Sequence, residues 1–243
     1  MTLVQLAATA HCQLWRADLD SAPTPAAVAC LSDDEWERAR RFVFARDRHR
    51  FVAAHAALRS TLAQQTGIPG ALLDFTLGAF GKPVLVEPAG LHFNLSHSQS
   101  VALIAISDGA EIGVDVELLR PMPDAAALAA DYFTAAEQRA LASLPPERRD
   151  RAFLVGWTRK EACLKAVGTG LGIDTRSFEA GLDEDADARE VRLPLEGRVA
   201  RLALHAFDGG EGVVCAIARV LEYDAMAPAV APHPVFQDNE TYA

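Results

Sequence analysis

Lysine is nearly absent. Of the 23 Lys and Arg residues in this 243-residue chain, lysine stands only at positions 82, 160 and 165, which leaves 20 arginines. Arg offers a rigid planar fork and Lys a compact ammonium with three donors. Lysines kept only in Gly81-Lys82-Pro83 and on either side of Glu161 therefore mark sites rather than solvated surface. No apolar run approaches the ~20 residues of a membrane span. The start, Met1-Thr2-Leu3-Val4-Gln5-Leu6, lacks a basic leader with an apolar core. The expectation is a cytoplasmic protein with no membrane partner. Cys12, Cys30, Cys163 and Cys215 form no C-x-x-C pair, which excludes a zinc ribbon and a disulfide framework. There is no G-x-S-x-G elbow for a hydrolase nucleophile. A net charge of −10 gives nothing a protein-wide attraction for nucleic acid.

The chain is 50% hydrophobic and 23% charged, enough for a substantial core in one large domain or two small ones. Helical periodicity runs from about Asp33 to Gln65 with a break near Phe44, and Gly67-Ile68-Pro69-Gly70 ends it. A second helical region runs from Thr134 to Val167, interrupted at Pro145-Pro146. Strands are predicted at Gln13 to Leu19, Phe75 to Leu77, Val84 to Val86 and His92 to Leu95. Later ones fall near Phe178, Val191 to Leu195, Arg201 to Ala206 and Val213 to Ala218. The segments Val101 to Ile106 and Ile112 to Glu117 flank Ser107-Asp108-Gly109-Ala110-Glu111 and read as an antiparallel hairpin. Helix then strands thus occurs twice, and Arg46-Asp47-Arg48 before Phe51 is echoed by Arg149-Asp150-Arg151 before Phe153. The fold class expected is α+β, two pseudo-symmetric halves over 1–110 and 111–222, with 223–243 a flexible tail.

Asp115 and Glu117 alternate with Ile112, Val114 and Val116, so both acids leave one face of a strand. Two such acids repel unless a cation joins them, and Mg²⁺, a hard ion that takes oxygen ligands and keeps several waters, fits. Solvated surface acids are the plainer reading of an isolated D-x-E. Glu161 falls within one helical arc with Phe153, Leu154, Trp157 and Leu164, and Lys165 lies at the margin. A carboxylate in an apolar stripe needs a metal, a cation or a polar site. An i,i+4 bridge from Glu161 to Lys165 would explain the spacing but not the position. Ser96 and His97 are adjacent in an extended segment and point opposite ways, which argues against a nucleophile and its base. With Lys82 and the arginines between Arg38 and Arg50 they suit a phosphate cradle instead.

In order along the chain, Gly81-Lys82-Pro83, Phe93-Asn94-Leu95-Ser96-His97-Ser98, Ile112-Gly113-Val114-Asp115-Val116-Glu117 and Trp157-x-x-Lys160-Glu161-Ala162-x-x-Lys165 resemble the 4′-phosphopantetheinyl transferases of the Sfp-like class. The resemblance implies a pseudo-dimer of two halves with coenzyme A between them as co-substrate. It implies transfer of the phosphopantetheine arm to a serine of an acyl or peptidyl carrier protein by a monomer. It also implies Mg²⁺, with Mn²⁺ as an alternative ion, held by Asp115, Glu117 and Glu161. Asp115, Glu161 and Lys165 are then catalytic, with Glu161 the candidate base. Lys165, Lys160 and His97 go to the coenzyme A phosphates, Lys82 and Ser96 to the adenine side, and Arg38, Arg41 and Arg50 to the 3′-phosphate. Glu35 and Phe51 stand where related chains can present a cation or a hydroxyl, and Glu137 also matches a family acid. The same acids would also serve another Mg²⁺-dependent phosphotransferase, and the same fold a coenzyme A or carrier-binding module without chemistry. The chain's net charge repels an acidic carrier at long range. Docking then falls to the arginine-rich first half and the segment between Glu117 and Phe133.

Overall fold

A computed structural model describes residues 2–6, 12–183, 188–207 and 209–225. Strands β1 (Leu3–Leu6) and β2 (Cys12–Asp18) precede helices α1 (Pro25–Val28), α2 (Asp33–Arg40) and α3 (Ala45–Thr66). Then follow β3 (Phe75–Leu77), β4 (Pro83–Leu85), β5 (Leu91–Ser98), β6 (Val101–Asp108) and β7 (Ile112–Leu118). Helices α4 (Ala125–Tyr132), α5 (Ala135–Ser143) and α6 (Pro146–Val167) lead to β8 (Arg189–Leu195), β9 (Arg198–Phe207) and β10 (Val213–Ala225).

The duplication is built from matching local chemistry. Helix α2 opens with a capping box between Ser32 and Glu35, and α5 opens with the same device between Thr134 and Glu137. Each short helix is followed by one of 22 residues, α3 or α6, and each long helix stops at a left-handed glycine, Gly67 at φ 72° and Gly168 at φ 71°. The antiparallel sheets run β1-β2-β6-β5 and β7-β10-β9-β8. In both, the strand before the helices (β2, β7) lies beside the final strand (β6, β10), which in turn borders the penultimate one (β5, β9).

Strand β6 is buried on both faces, and its alternation assigns them. Ala102, Ile104 and Ile106 pack toward α3 with Trp15, Leu58, Leu62 and Phe93. Val101, Leu103 and Ala105 meet Ile112, Val114, Val116, Val213 and Ile217 of the second sheet. The sheets therefore share one apolar seam, and each is backed by its long helix; α6 closes on Leu193, Leu202, Leu204 and Ala216.

The hairpin expected from Val101 to Glu117 does not form. Strand β6 is central, with β2 on one edge and β5 on the other, while β7 pairs with β10 in the second sheet. An Asp-Gly turn between two apolar runs can also be a crossing point, because β6 has no free edge for β7. The hairpin in this region joins β5 to β6 through Gln99, whose φ is 49°, and Ser100. The strand expected near Phe178 is a 3₁₀ turn, Thr175–Ser177. Of the tail expected from 223, Tyr223 to Ala225 complete β10, and 226–243 lie outside the described residues. No helix among the described residues is long and apolar enough to cross a membrane.

Candidate active site

The site forms where β5 runs alongside β7. Three alternate side chains of β5 face the neighbouring strand. Asn94 Oδ1 accepts from the Val114 N–H at 2.9 Å, Ser96 Oγ donates to Asp115 Oδ1 at 2.8 Å, and Ser98 Oγ donates to Glu117 Oε2 at 2.9 Å. The two sheets are thus joined at this edge through side chains, and the Ser-His-Ser segment holds both acids of β7. Arg120 also donates to Glu117, at 2.7 Å.

Gly113, Asp115 and Glu117 face α6 rather than water, because Gly113 lets the helix come unusually close. A Cβ on Gly113 would lie 2.2 Å from Ala162 O and 2.3 Å from Ala166 N. Asp115 is consequently buried, 4% exposed, where the sequence alone allowed a solvated acid. Helix α6 is buried around most of its circumference, and Trp157, Glu161 and Lys165, four residues apart, form a partly open strip. Glu161 is thus half-buried beside the apolar residues of its arc rather than fully enclosed by them. It lines the opening over β7.

Lys165 Nζ crosses to Asp115 Oδ1 at 2.5 Å and to Ser96 Oγ at 3.1 Å. Asp115 Oδ2 is buried with no hydrogen-bond partner. Burial pushes the Asp115 carboxyl above its ordinary pKa, opposed by Lys165 and Ser96 and reinforced by Glu117. Burial likewise raises Glu161; Lys165 opposes the rise, and the charges of Asp115 and Glu117 add to it. The three acids are close enough to feel one another's charge, and Lys165 acts on Asp115 and Glu161.

His97 stands between Ser96 and Ser98 on β5 and leaves the opposite face of the strand. Its outer edge is exposed, yet lost hydration holds the imidazole below its ordinary pKa, and Lys165, His55 and Arg38 push it lower still. Arg38 also lies over the Phe51 ring, 5.4 Å from its centroid, and Phe51 packs against His55 with centroids 4.1 Å apart. Lys165 and Arg38, from opposite halves, are thus both near enough to His97 for their charges to act on it, while Ser96 turns to Asp115 and Lys165 on the other face of β5. Arg50 is engaged elsewhere, donating to both carboxylate oxygens of Asp20 at 2.7 and 3.0 Å. Arg41 is exposed at the C-cap of α2.

Two lysines expected at coenzyme A are turned inward. Lys160 is 1% exposed and donates to Thr175 O at 2.8 Å and Phe178 O at 2.7 Å, and it pairs with Glu137 at 2.9 Å. All three ammonium protons are used, so Lys160 has none for a nucleotide phosphate. Lys82 donates to Ile112 O and Ala166 O, both at 2.9 Å, and burial lowers its pKa to about 8.

The sequence alone leaves Glu137 without a role and does not single out Arg59. Glu137 is structural, since its oxygens also accept from the N–H groups of Thr134, Ala180 and Gly181. Burial would raise its pKa, and Lys160 above all brings it below the ordinary value. The first half repeats this arrangement. Arg59 donates to Glu35 at 2.7 Å and to the carbonyls of Gly70 and Leu73 at 2.7 and 3.0 Å. Burial raises the pKa of Glu35, but bonds from His55 and Ser32 and the charge of Arg59 bring it to about 2. The signal lies in Ser32-x-x-Glu35 and Thr134-x-x-Glu137, two capping-box patterns each followed by a cation deep in a long helix.

Lys160→Met should leave Glu137 as an uncompensated buried charge at a cost of ~3–5 kcal/mol. For a chain of this size that is a Tm loss of about 10 °C. The Michaelis constant for coenzyme A in the folded fraction should not move. A raised constant with an unchanged Tm would return Lys160 to the cleft.

Comparison with known proteins identifies the family. A family model described as the 4′-phosphopantetheinyl transferase superfamily matches residues 111–218, and one described as 4′-phosphopantetheinyl transferase, N-terminal, matches residues 15–108. The chain is 42% identical over 163 residues to 4′-phosphopantetheinyl transferase HetI of Nostoc sp., covering 65% of this chain and 69% of that protein. It is 28% identical over 167 residues to 4′-phosphopantetheinyl transferase Sfp of Bacillus subtilis strain 168, covering 69% and 73%. It is 29% identical over 187 residues to the human L-aminoadipate-semialdehyde dehydrogenase-phosphopantetheinyl transferase, covering 70% and 60%.

Proposed function

The chain belongs to the 4′-phosphopantetheinyl transferase superfamily, and we propose from that membership how its residues divide the work of the transfer. The reaction moves the 4′-phosphopantetheine arm of coenzyme A to a serine of an apo carrier protein and releases 3′,5′-ADP. The serine Oγ–P bond forms, the pyrophosphate P–O bond breaks, and the serine proton must go to a base.

The observation that carries the assignment is the unpartnered, buried Asp115 Oδ2 beside Glu117, Glu161 and Lys165. A buried carboxylate oxygen without a donor is costly unless something positive meets it. Among the described residues, no three His, Cys, Asp or Glu side chains already form a preassembled metal cage. Mg²⁺ does not need one, since it keeps several waters and takes one or two protein carboxylates plus substrate phosphate oxygens. The donor set, all carboxylate oxygen, fits that ion, and Asp115, Glu117 and Glu161 are the residues assigned to hold it. When bound, the ion supplies charge neutralisation at the pyrophosphate.

The side chains do the remaining work. Glu161, whose raised pKa makes it a better base than an ordinary carboxylate, takes the serine proton. Lys165, oriented by Asp115 and Ser96, meets the charge that builds on the leaving oxygen. His97 and Arg38, close enough to each other that the arginine's charge acts on the imidazole, are assigned to the remaining coenzyme A phosphates.

The carrier is placed at the α2–α3 loop. Val43 and Phe44 are 86% and 67% exposed and lie between exposed Arg40, Arg41 and Arg46. Exposed apolar groups ringed by cations suit an acidic partner with an apolar contact. Phe44→Asp should raise the Michaelis constant for the carrier about tenfold, equivalent to ~1.4 kcal/mol. The constant for coenzyme A should be unchanged, and 3′,5′-ADP release should require the carrier. Release at full rate without any carrier would instead favour a nucleotide-cleaving phosphotransferase.

A further inference from the structure

The remaining lysine, Lys82, is the chain's long-range connector. It sits in the turn between β3 and β4, in the first half, where Gly78 N–H donates to Lys82 O at 2.9 Å and Gly81 turns at φ 81°. From there its side chain leaves the first half altogether. The ammonium donates to Ile112 O, at the start of β7, and to Ala166 O, in the last turn of α6, both at 2.9 Å. Its aliphatic stem passes the helix-ending glycine closely enough that a Cβ on Gly168 would lie 3.3 Å from Lys82 Cδ.

Both acceptors are placed where they matter to the site. Ile112 is three residues before Asp115, and Ala166 immediately follows Lys165. The carbonyls in the last turn of a helix have no partner within the helix, so a donor there fixes the helix end. Two of the assigned metal ligands lie on β7, and the third, with Lys165, lies on α6. The distance between strand and helix therefore sets the distance between ligands. Gly113 sets the closest approach of the two elements, and the Lys82 ammonium ties them together just beyond it. An ammonium suits two carbonyls arriving from different elements, since its three donors rotate freely where a guanidinium presents a fixed plane.

We propose that Lys82 is a positioning residue for the metal-binding acids, a tie from the first half that holds β7 and the end of α6 at the spacing their carboxylates require. This rests on the reading of Asp115, Glu117 and Glu161 as metal ligands. It reassigns the Gly-Lys-Pro lysine from direct contact with coenzyme A to support of the ligands. Outer-shell partners of this kind typically change metal affinity or activity ~10–100-fold when removed.

The test is a Mn²⁺ titration of the coenzyme A complex by electron paramagnetic resonance, with coenzyme A alone as control, alongside transfer kinetics, for wild type, Lys82→Met and Lys82→Arg. Lys82→Met should bind Mn²⁺ ~10–100-fold more weakly and lose kcat in the same range. Its Michaelis constant for coenzyme A should stay within about twofold, and Lys82→Arg, which keeps donors but misplaces them, should fall between. If Lys82→Met does not fold, Lys82→Arg carries the test with the same signs. A raised constant for coenzyme A with unchanged Mn²⁺ affinity would place Lys82 on the substrate and overturn the proposal. A lower Tm with Mn²⁺ affinity, kcat and KM all unchanged would make it a staple only and overturn the proposal equally. Failure of the wild-type coenzyme A complex to bind Mn²⁺ more tightly than coenzyme A alone would be seen before any variant is compared; it would refute the metal assignment itself, and the tie with it.

Discussion

Glu161→Gln is expected to lower kcat for phosphopantetheine transfer by about 10²–10⁴-fold, the range lost when a positioned base is removed. Gln keeps the volume and the helix propensity of Glu but neither the negative charge nor the basic oxygen. The partly open strip of α6 that carries Glu161 makes no demand on it for packing, so the folded state should survive with little change in Tm. The competing explanation, an i,i+4 bridge to Lys165, would cost only a few tenths of a kcal/mol. The geometry already disfavours that bridge, because the ammonium of Lys165 turns to Asp115 and Ser96. The measurement is single-turnover transfer with saturating coenzyme A and carrier. A loss smaller than about threefold would remove Glu161 from the chemistry.

Gly113→Ala should be strongly damaging. The added carbon would stand 2.2 Å from Ala162 O, 2.3 Å from Ala166 N and 2.8 Å from the carbonyl carbon of Lys165. All three are backbone atoms of one helix and cannot rotate away. Either α6 lifts off β7 along its buried length or the strand shifts within its pairing to β10. Overpacking costs ~1–3 kcal/mol when side chains can adjust, and here a loss of ~3 kcal/mol or more is expected. Because the strain falls between Asp115 and Lys165, any folded fraction should also transfer poorly. Thermal unfolding and kcat should therefore fall together. A Gly113→Ala variant with wild-type Tm and kcat would contradict the close approach on which the site is built.

The helices and most strands are legible in the sequence because their signals are local. Breaks at Phe44 and Pro145-Pro146 and the stop at Gly67 need only neighbouring residues to be read. The pairing of β6 is not legible. Asp108-Gly109 is as good a turn for a hairpin as for a crossing, and the choice depends on β2 and β5 having taken both edges of β6. The scarcity of lysine points correctly to special positions but not to their partners. Lys165 reaches the acids. Lys160 is consumed by Glu137 and two carbonyls, and Lys82 by carbonyls 30 and 84 residues away. A helical arc that assumes one buried face singles out Glu161, whereas α6 is enclosed nearly all round and leaves Trp157, Glu161 and Lys165 toward the opening. The Arg59–Glu35 pair becomes visible only beside its counterpart Lys160–Glu137, because each needs the fold to bring a long helix over a capping-box acid.

The decisive experiment is the intact mass of an apo carrier protein after incubation with this protein, coenzyme A and Mg²⁺, with 3′,5′-ADP quantified in the same samples and EDTA added to a parallel set. The expected outcome is a gain of one phosphopantetheine per carrier, matched by one 3′,5′-ADP and abolished by EDTA. An unchanged carrier mass across acyl and peptidyl carrier types, from protein shown to bind coenzyme A, would refute the metal-dependent transfer, and so would a mass gain indifferent to EDTA.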